Sequence, residues 1–417
     1  MKLRLLAALV LLAGCVPAAP DYSRPAGVHE APQASNYMAP PGYYNPQATQ
    51  QAAPAGSALS EQRTVKVGLL LPLTGRNAEL GRALQDAATI ALFDRYARLP
   101  SVPPVKVELV PKDTGDAPEQ AAAAMRSAIA DGAVFVIGPV FSDATEAAAP
   151  IARQAHVAVL SFSNNSALAR PGVYPFGFSP QEQTRRVVAY AVRAGKTKIA
   201  ALVPDSVLGQ TVLATAKETL AANGIALAAE AHYAPAGVGI DRAAGQLAPP
   251  GAPPAFDTLL LPEGGASLPT MLRALAQHGI APPKVQLIGT GIWDDETLVH
   301  RTGLDGAWLA SSSPGGTQAF ETRFVDTYKY APPRVASLAY DAVSLAVTLA
   351  TSDRGFTEAS LTSPSGFAGP ANGIFRLRPD GKVERGLAVL QIEGSDFTVL
   401  DPSPSNFSAP AAGPSAY

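Results

Sequence analysis

The chain has 417 residues, 47% of them hydrophobic and 16% charged, with a formal net charge of −2. A near-neutral chain carries no electrostatic footprint for nucleic acid. Its single cysteine, Cys15, excludes an intrachain disulfide and any zinc site built on cysteines.

Taken in order, the chain opens on a basic head, Met1-Lys2-Leu3-Arg4, and an apolar run from Leu5 to Ala13. That run is shorter than the ~20 residues a bilayer span needs, so residues 1–14 read as a secretory signal peptide. It ends Leu12-Ala13-Gly14-Cys15, which resembles the bacterial lipobox. The resemblance implies cleavage before Cys15, lipidation of its thiol, and attachment to a membrane through the lipid anchor alone. Val16 stands where lipoproteins kept in the inner membrane often carry Asp, which implies an outer-membrane lipoprotein facing the periplasm. Residues 15–63 are rich in Pro, Ala, Gln and Tyr and show no periodicity. The expectation is a disordered tether with a root-mean-square span of roughly 40 Å.

A different pattern begins at Val65-Lys66-Val67-Gly68-Leu69-Leu70-Leu71, a short apolar run of the kind buried on both faces of a sheet. A polar turn through Thr74 to Asn77 leads to Leu80, Leu84, Ala87, Ala88 and Ala91 at helical spacing. The unit repeats with a strand at Val105–Val110 and a helix at Ala117–Ala130, where Asp116 and Glu119 suggest a capping box. A strand at Ala133–Ile137 follows, then a helix behind Asp143 and Glu146, a second expected capping box, and a strand at Val157–Leu160. Asp113-Thr114-Gly115 matches the aspartic-protease tripeptide, but that chemistry needs two carboxylates sharing a proton and no second copy exists. Three strands thus end in loops bearing Thr74, Ser142, Ser161, Ser163 and Asn164. In open α/β sheets ligands sit at the carboxyl ends of strands, and helix starts there favour an anionic or zwitterionic group. The same residue types are also the usual helix caps and turn formers.

Further βα units follow, with strands at Lys198–Val203, Ile225–Ala231, Asp257–Leu261 and Lys284–Ile288. Their exit loops carry Glu263 and Trp293; ordinary packing at a strand end accounts for Trp293 equally well. Gly289-Thr290-Gly291 lacks the third glycine of a dinucleotide fingerprint. A strand at Trp308–Ala310, helices at Phe320–Tyr330 and Ala336–Ala350, and a hairpin turning at Pro379-Asp380-Gly381 from Gly373–Arg378 into Leu387–Ile392 complete the reading. Residues 401–417 read as a disordered tail. The fold class is α/β, with two Rossmann-like lobes built on parallel sheets. No nucleophile–base pair, carboxylate dyad, metal cluster or cofactor motif can be placed, so the chain reads as a non-enzyme without cofactor.

Several segments together resemble the type I periplasmic binding proteins of the leucine/isoleucine/valine-binding class. They are Val67 to Gly75; Gly138-Pro139 with Ser142; Tyr174 to Phe178; Tyr340 to Val343; and Gly373-Ile374-Phe375 with Gly381. The resemblance implies a hinge of three chain crossings, expected near 180, 313 and 370. The first lobe is then 64–182 plus 314–370 and the second 183–313 plus 371–400. It implies that Ser142, Ser161 and Ser163 hold a ligand's carboxylate and amine, and that Phe176, Glu263 and Trp293 close over it. The lipobox and tether together with this body resemble the outer-membrane lipoprotein activators of penicillin-binding proteins, which implies a peptidoglycan synthase as partner. The enterobacterial members of that group carry a helical-repeat domain before this body, where only the linker stands here. The alternative is a solute-binding lipoprotein of an ABC importer for amino acids or small peptides.

Overall fold

The first strand feeds two cores at once: Val67, Leu69 and Leu71 of β1 (Arg63–Leu71) enter one and Leu70 the other. The computed structural model describes residues 63–407 apart from 100, 102, 104, 250 and 295–302. The expected signal peptide, Cys15, the tether up to residue 62 and the tail from 408 lie outside the described residues.

Around β1 stand β2 (Val105–Asp113), β3 (Ala133–Ile137), β4 (Ala158–Ser161) and β5 (Val173–Pro175), in the order β2-β1-β3-β4-β5. Every pair is parallel, so every strand of this sheet ends on the same edge. Helix α1 (Ala78–Ala97) packs on one face, and α2 (Pro118–Ala130) and α3 (Ser142–Gln154) on the other. Neither expected capping box forms. Gln120, not Glu119, accepts from the N–H groups of Asp116 and Ala117 at 3.1 Å each. Asp116 turns back to accept from the Arg76 N–H at 3.0 Å. Asp143 lies inside α3, whose N-cap is Phe141, and among the described residues accepts only from the adjacent Ala144 N–H at 2.8 Å.

The second sheet repeats the plan. Helices α4 (Pro180–Arg193), α5 (Val207–Ala221), α6 (Ile240–Leu247) and α7 (Leu268–Gln277) flank β6 (Ile199–Pro204), β7 (Ala229–Tyr233), β8 (Thr258–Leu260), β9 (Gln286–Gly289) and β10 (Trp308–Ser311). These strands run parallel in the order β10-β9-β8-β6-β7. The strand expected from Ile225 starts only at Ala229, because Ile225 and Leu227 are spent packing against one face of this sheet.

The chain then returns to the first core. Helix α8 (Pro314–Tyr328) starts on its proline, six residues before the expected Phe320, as a proline at the first helical position allows. Helix α9 (Ala336–Ala350) is buried at every position but Thr348, and its all-round apolar surface closes the first core beside α1. After α10 (Glu358–Leu361), β11 (Phe367–Gly369), β12 (Gly373–Leu377) and β13 (Val383–Arg385) form a small antiparallel sheet. Phe375 and Leu377 of this sheet belong to the first core. The turn at Pro379–Gly381 therefore returns into β13, not into the expected Leu387–Ile392 strand. That segment is β14 (Ala388–Glu393), which pairs antiparallel with β10 and with β15 (Asp396–Asp401) at the edge of the second sheet.

Passages between the two sheets fall at 176–179, at 312–313 and at Gly386-Leu387, the last well beyond residue 370. Asp401, expected in a disordered tail, accepts from Arg186 at 2.8 Å and Arg193 at 2.6 Å, and Phe407 lies under the Arg376 guanidinium.

Candidate functional site

Because the strands of the first sheet are all parallel, the exit loops of β1, β3 and β4 gather on one edge. The β1 exit is braced by Asp113 at the end of β2. Its carboxylate accepts from the N–H of Leu73 (2.9 Å), Thr74 (3.2 Å) and Gly115 (2.8 Å) and from the Thr74 hydroxyl. Burial opposes ionisation of Asp113, but those donors, the Thr74 hydroxyl foremost, outweigh it and lower its pKa. Thr74, a sequence candidate, is thereby committed to holding its own loop. The Asp-Thr-Gly tripeptide is a loop brace.

The β3 and β4 exits carry the serines. Ser161 is fully buried, shares a hydrogen bond with Thr145 (2.6 Å), donates to the Pro139 carbonyl (3.1 Å) and accepts from the Ser163 N–H (3.1 Å). It fixes the loop and offers no surface. Ser142, at the first turn of α3, and Ser163 are joined hydroxyl to hydroxyl at 2.8 Å, and Ser163 also accepts from the Asn165 N–H. Ser142, Ser163 and Asn164 line one cavity of about 320 Å³, walled by Phe141, Phe162, Phe178 and Val335 among others. That volume lies at the small end of the ~300–1,000 Å³ typical of ligand pockets.

Phe176 and Trp293, expected to close over a ligand, are core residues, both 0% exposed. The Phe176 ring packs edge-on against Phe375 at 4.8 Å with the Arg385 guanidinium 4.0 Å above it. The short turn Gly291–Trp293 folds the indole over Gly289, where an added Cβ would come within 2.6 Å of the ring, and its N–H donates to the Glu263 carbonyl at 2.7 Å. The Glu263 carboxylate accepts from the Tyr233 hydroxyl at 2.7 Å and from the Gly264 N–H at 3.0 Å. The structure thus brings Ser142, Ser163 and Asn164 together at one cavity, ties Thr74, Ser161 and Glu263 into the hydrogen bonds above, and buries Phe176 and Trp293.

Sequence reasoning missed Phe178 and Arg334. Arg334, in the loop before α9, reaches across to the second sheet. It donates to the Gly291 carbonyl (3.2 Å), the Asp294 carboxylate (2.7 Å) and the Ser311 hydroxyl (2.6 Å), and its guanidinium lies 4.1 Å over the Phe178 ring. Arg334→Ala removes these three bonds to the second sheet. Hydrogen bonds to charged groups contribute about 1.5–3 kcal/mol each at most, and this pair is partly exposed. The expected loss in urea denaturation is about 1–3 kcal/mol, with faster amide exchange at Gly291 to Asp294. Unchanged exchange there would show that the latch does not hold the lobes.

Beside Arg334, a larger groove of about 830 Å³ runs between α8 and the β14–β15 turn. Among the described residues no group of three His, Cys, Asp or Glu could hold a metal ion, and no helix is long and apolar enough to cross a membrane.

A family model described as periplasmic binding protein matches residues 64–396. Among solved structures, the fold is similar to that of a Rhodospirillum rubrum protein whose name assigns it to branched-chain amino acid ABC transport. There the TM-score is 0.71 and the identity 22%, over 81% of this chain and 100% of the other. It is similar to the branched-chain amino acid transporter substrate-binding protein LivJ of Streptococcus pneumoniae in complex with isoleucine (TM-score 0.58, 19% identity, 82% and 100% covered). A solute-binding protein of an ABC transporter from Rhodopseudomonas palustris in complex with 3,4-dihydroxybenzoic acid is also similar (TM-score 0.59, 20% identity, 83% and 98% covered). An uncharacterised protein of Rickettsia prowazekii, RP748, is 26% identical over 152 residues, which span 36% of this chain and 38% of that protein.

Proposed function

This chain belongs to the periplasmic binding protein family, and we propose that its body is a receptor for a small carboxylate-bearing solute. The observation that carries this reading is the Ser142–Ser163 hydroxyl pair, set at the strand ends of the first sheet and opening into a small apolar cavity. Each hydroxyl has one proton and two lone pairs, so the pair can redirect a donor towards an incoming carboxylate. The start of α3 adds partial positive charge at the same place, although the Asp143 carboxylate already takes the Ala144 N–H. The solutes named for the similar structures, isoleucine and 3,4-dihydroxybenzoic acid, both bear a carboxylate.

A thermal-shift screen of the full chain against amino acids, short peptides and aromatic acids tests this. A true ligand at a hundredfold excess over Kd stabilises the native state by about 2.7 kcal/mol. Replacing both Ser142 and Ser163 by Ala is expected to weaken binding at least ~10-fold, about 1.4 kcal/mol. A screen without any shift would overturn the receptor reading.

A second reading is favoured by the N-terminal sequence: Cys15 as a lipidated anchor, Val16 directing it to the outer membrane, and the Pro- and Gln-rich segment to residue 63 as a tether. On that reading the body reaches inward from the outer membrane to activate a peptidoglycan synthase of the penicillin-binding class. Deleting 17–62 while keeping Cys15 should then impair cell-wall synthesis, and normal growth of such a strain would count against it.

A further inference from the structure

We propose that the solute is an apolar carboxylate without an α-ammonium group, an inference that rests on the receptor reading above. The wall of the cavity is apolar, lined by three phenylalanines, two valines and Leu338 beside the Ser142–Ser163 pair. Two cations pack against the Phe178 ring of that wall. Arg334 lies 4.1 Å from the Phe178 ring centre and Arg385 5.6 Å from it. Arg385 is 8% exposed and is sandwiched against Phe176; one nitrogen donates to the Phe176 carbonyl at 2.6 Å. Its Nε and Nη1 have no partner among the described residues. Asp341 offsets part of the Arg385 charge, but two buried donors left unpaired still favour an acceptor such as a carboxylate nearby over a further donor.

A zwitterion would also need an acidic partner for its ammonium. Three acids near the site are already engaged: Asp143, beside Ser142, accepts from the Ala144 N–H at 2.8 Å, and the other two belong to exit loops of the second sheet. Glu263 accepts from Tyr233 and Gly264 with its two carboxylate oxygens. Asp294 is held by Arg334 and Ser311. Among the described residues, no carboxylate lines the cavity itself. An ammonium group brought there would lose its hydration without an ionic partner, while a carboxylate meets hydroxyls, an amide at Asn164 and helix N–H groups.

Matched ligands separate this inference from the reading beneath it. The full chain is titrated by calorimetry with 3-phenylpropanoate, phenylalanine and 3-phenylpropanamide, and with 3-methylpentanoate against isoleucine. The expected result is that at least one acid binds ~10-fold or more tighter than its amino acid, and that the uncharged amide loses at least as much. An amino acid binding as tightly as its amine-free counterpart overturns the inference and leaves the receptor reading standing. An amide equal to the acid also overturns it, since shape alone would then suffice. Binding by none of the five, with no shift in the wider screen, overturns both.

Discussion

Asp341→Ala is expected to cost about 3–5 kcal/mol of stability, the range for removing one partner from a buried charged network. Asp341 is 0% exposed in the middle of α9 and accepts from the Ala371 N–H at 2.8 Å, the Asn372 N–H at 3.0 Å and the Asn372 side-chain amide at 2.8 Å. Truncation orphans three buried donors and leaves the Arg385 guanidinium without its nearest opposing charge. The damage spreads, because the Asn372 oxygen in turn accepts from Ser312 and Ser337, one at a passage between the lobes and one on α9. Urea denaturation measures the loss; a change below ~1 kcal/mol would show that water or rearrangement replaces the carboxylate. The same group carries a pH signature. Burial pushes the Asp341 carboxyl up from 3.8 to about 6, against the pull of its hydrogen bonds and of Arg385. Since the folded state then binds this proton more tightly than the unfolded chain, the Asp341 contribution falls as pH rises from about 4 to about 6 and is flat above. The fall is on the order of 2–3 kcal/mol. It is read as the difference between the stability–pH curves of the wild type and Asp341→Ala.

Gly138→Ala should have a comparable effect for a different reason. Gly138 adopts φ +90°, and a Cβ built there falls 2.1 Å from the carbonyl oxygen of Leu70. Leu70 sits in β1, hydrogen-bonded between β2 and β3, and cannot retreat without opening the ladder. A strained backbone costs ~1–3 kcal/mol and an overpacked core another ~1–3 kcal/mol, so a loss of roughly 3–5 kcal/mol is expected. This residue leads directly into the loop that ends at Ser142, so the variant should also weaken solute binding more than its stability loss alone explains. A variant within ~1 kcal/mol of wild type would show that the β3 exit is pliable.

The βα units were legible because a strand buried on both faces and a helix of period 3.6 leave strong local signals, as in β1 and α1. What the sequence hid was where the chain changes lobes late on. Gly373 to Ile392 reads locally as one hairpin. Only the packing of Phe375 and Leu377 into the first core shows that β13 stays behind while β14 crosses. The aromatic lining was hidden for a similar reason. Phe176 and Phe178 share a strand parity, so alternation places them on one side. The strand ends at Pro175, and at Gly177 the backbone runs so close to Ser163 that a Cβ would meet it at 2.6 Å. The two rings part there, one into the core and one onto the cavity. Arg334 carries no local signal, since its partners Gly291, Asp294 and Ser311 are distant in sequence. The expected capping box at Asp116 failed because its carboxylate bonds across the loop at Arg76, and the one at Asp143 because that residue already lies inside the helix.

The late return of the chain also governs how the molecule can be made. The first five strands leave the ribosome early, yet their core lacks α9 and β12 until residue 377 has followed. The second sheet waits still longer for β14 and β15, which end at Asp401. Neither lobe can complete its interior from a nascent fragment, and loop-closure entropy over such separations slows the native long-range pairings. A polypeptide wired in this way cannot close either core until nearly all of it has been synthesised.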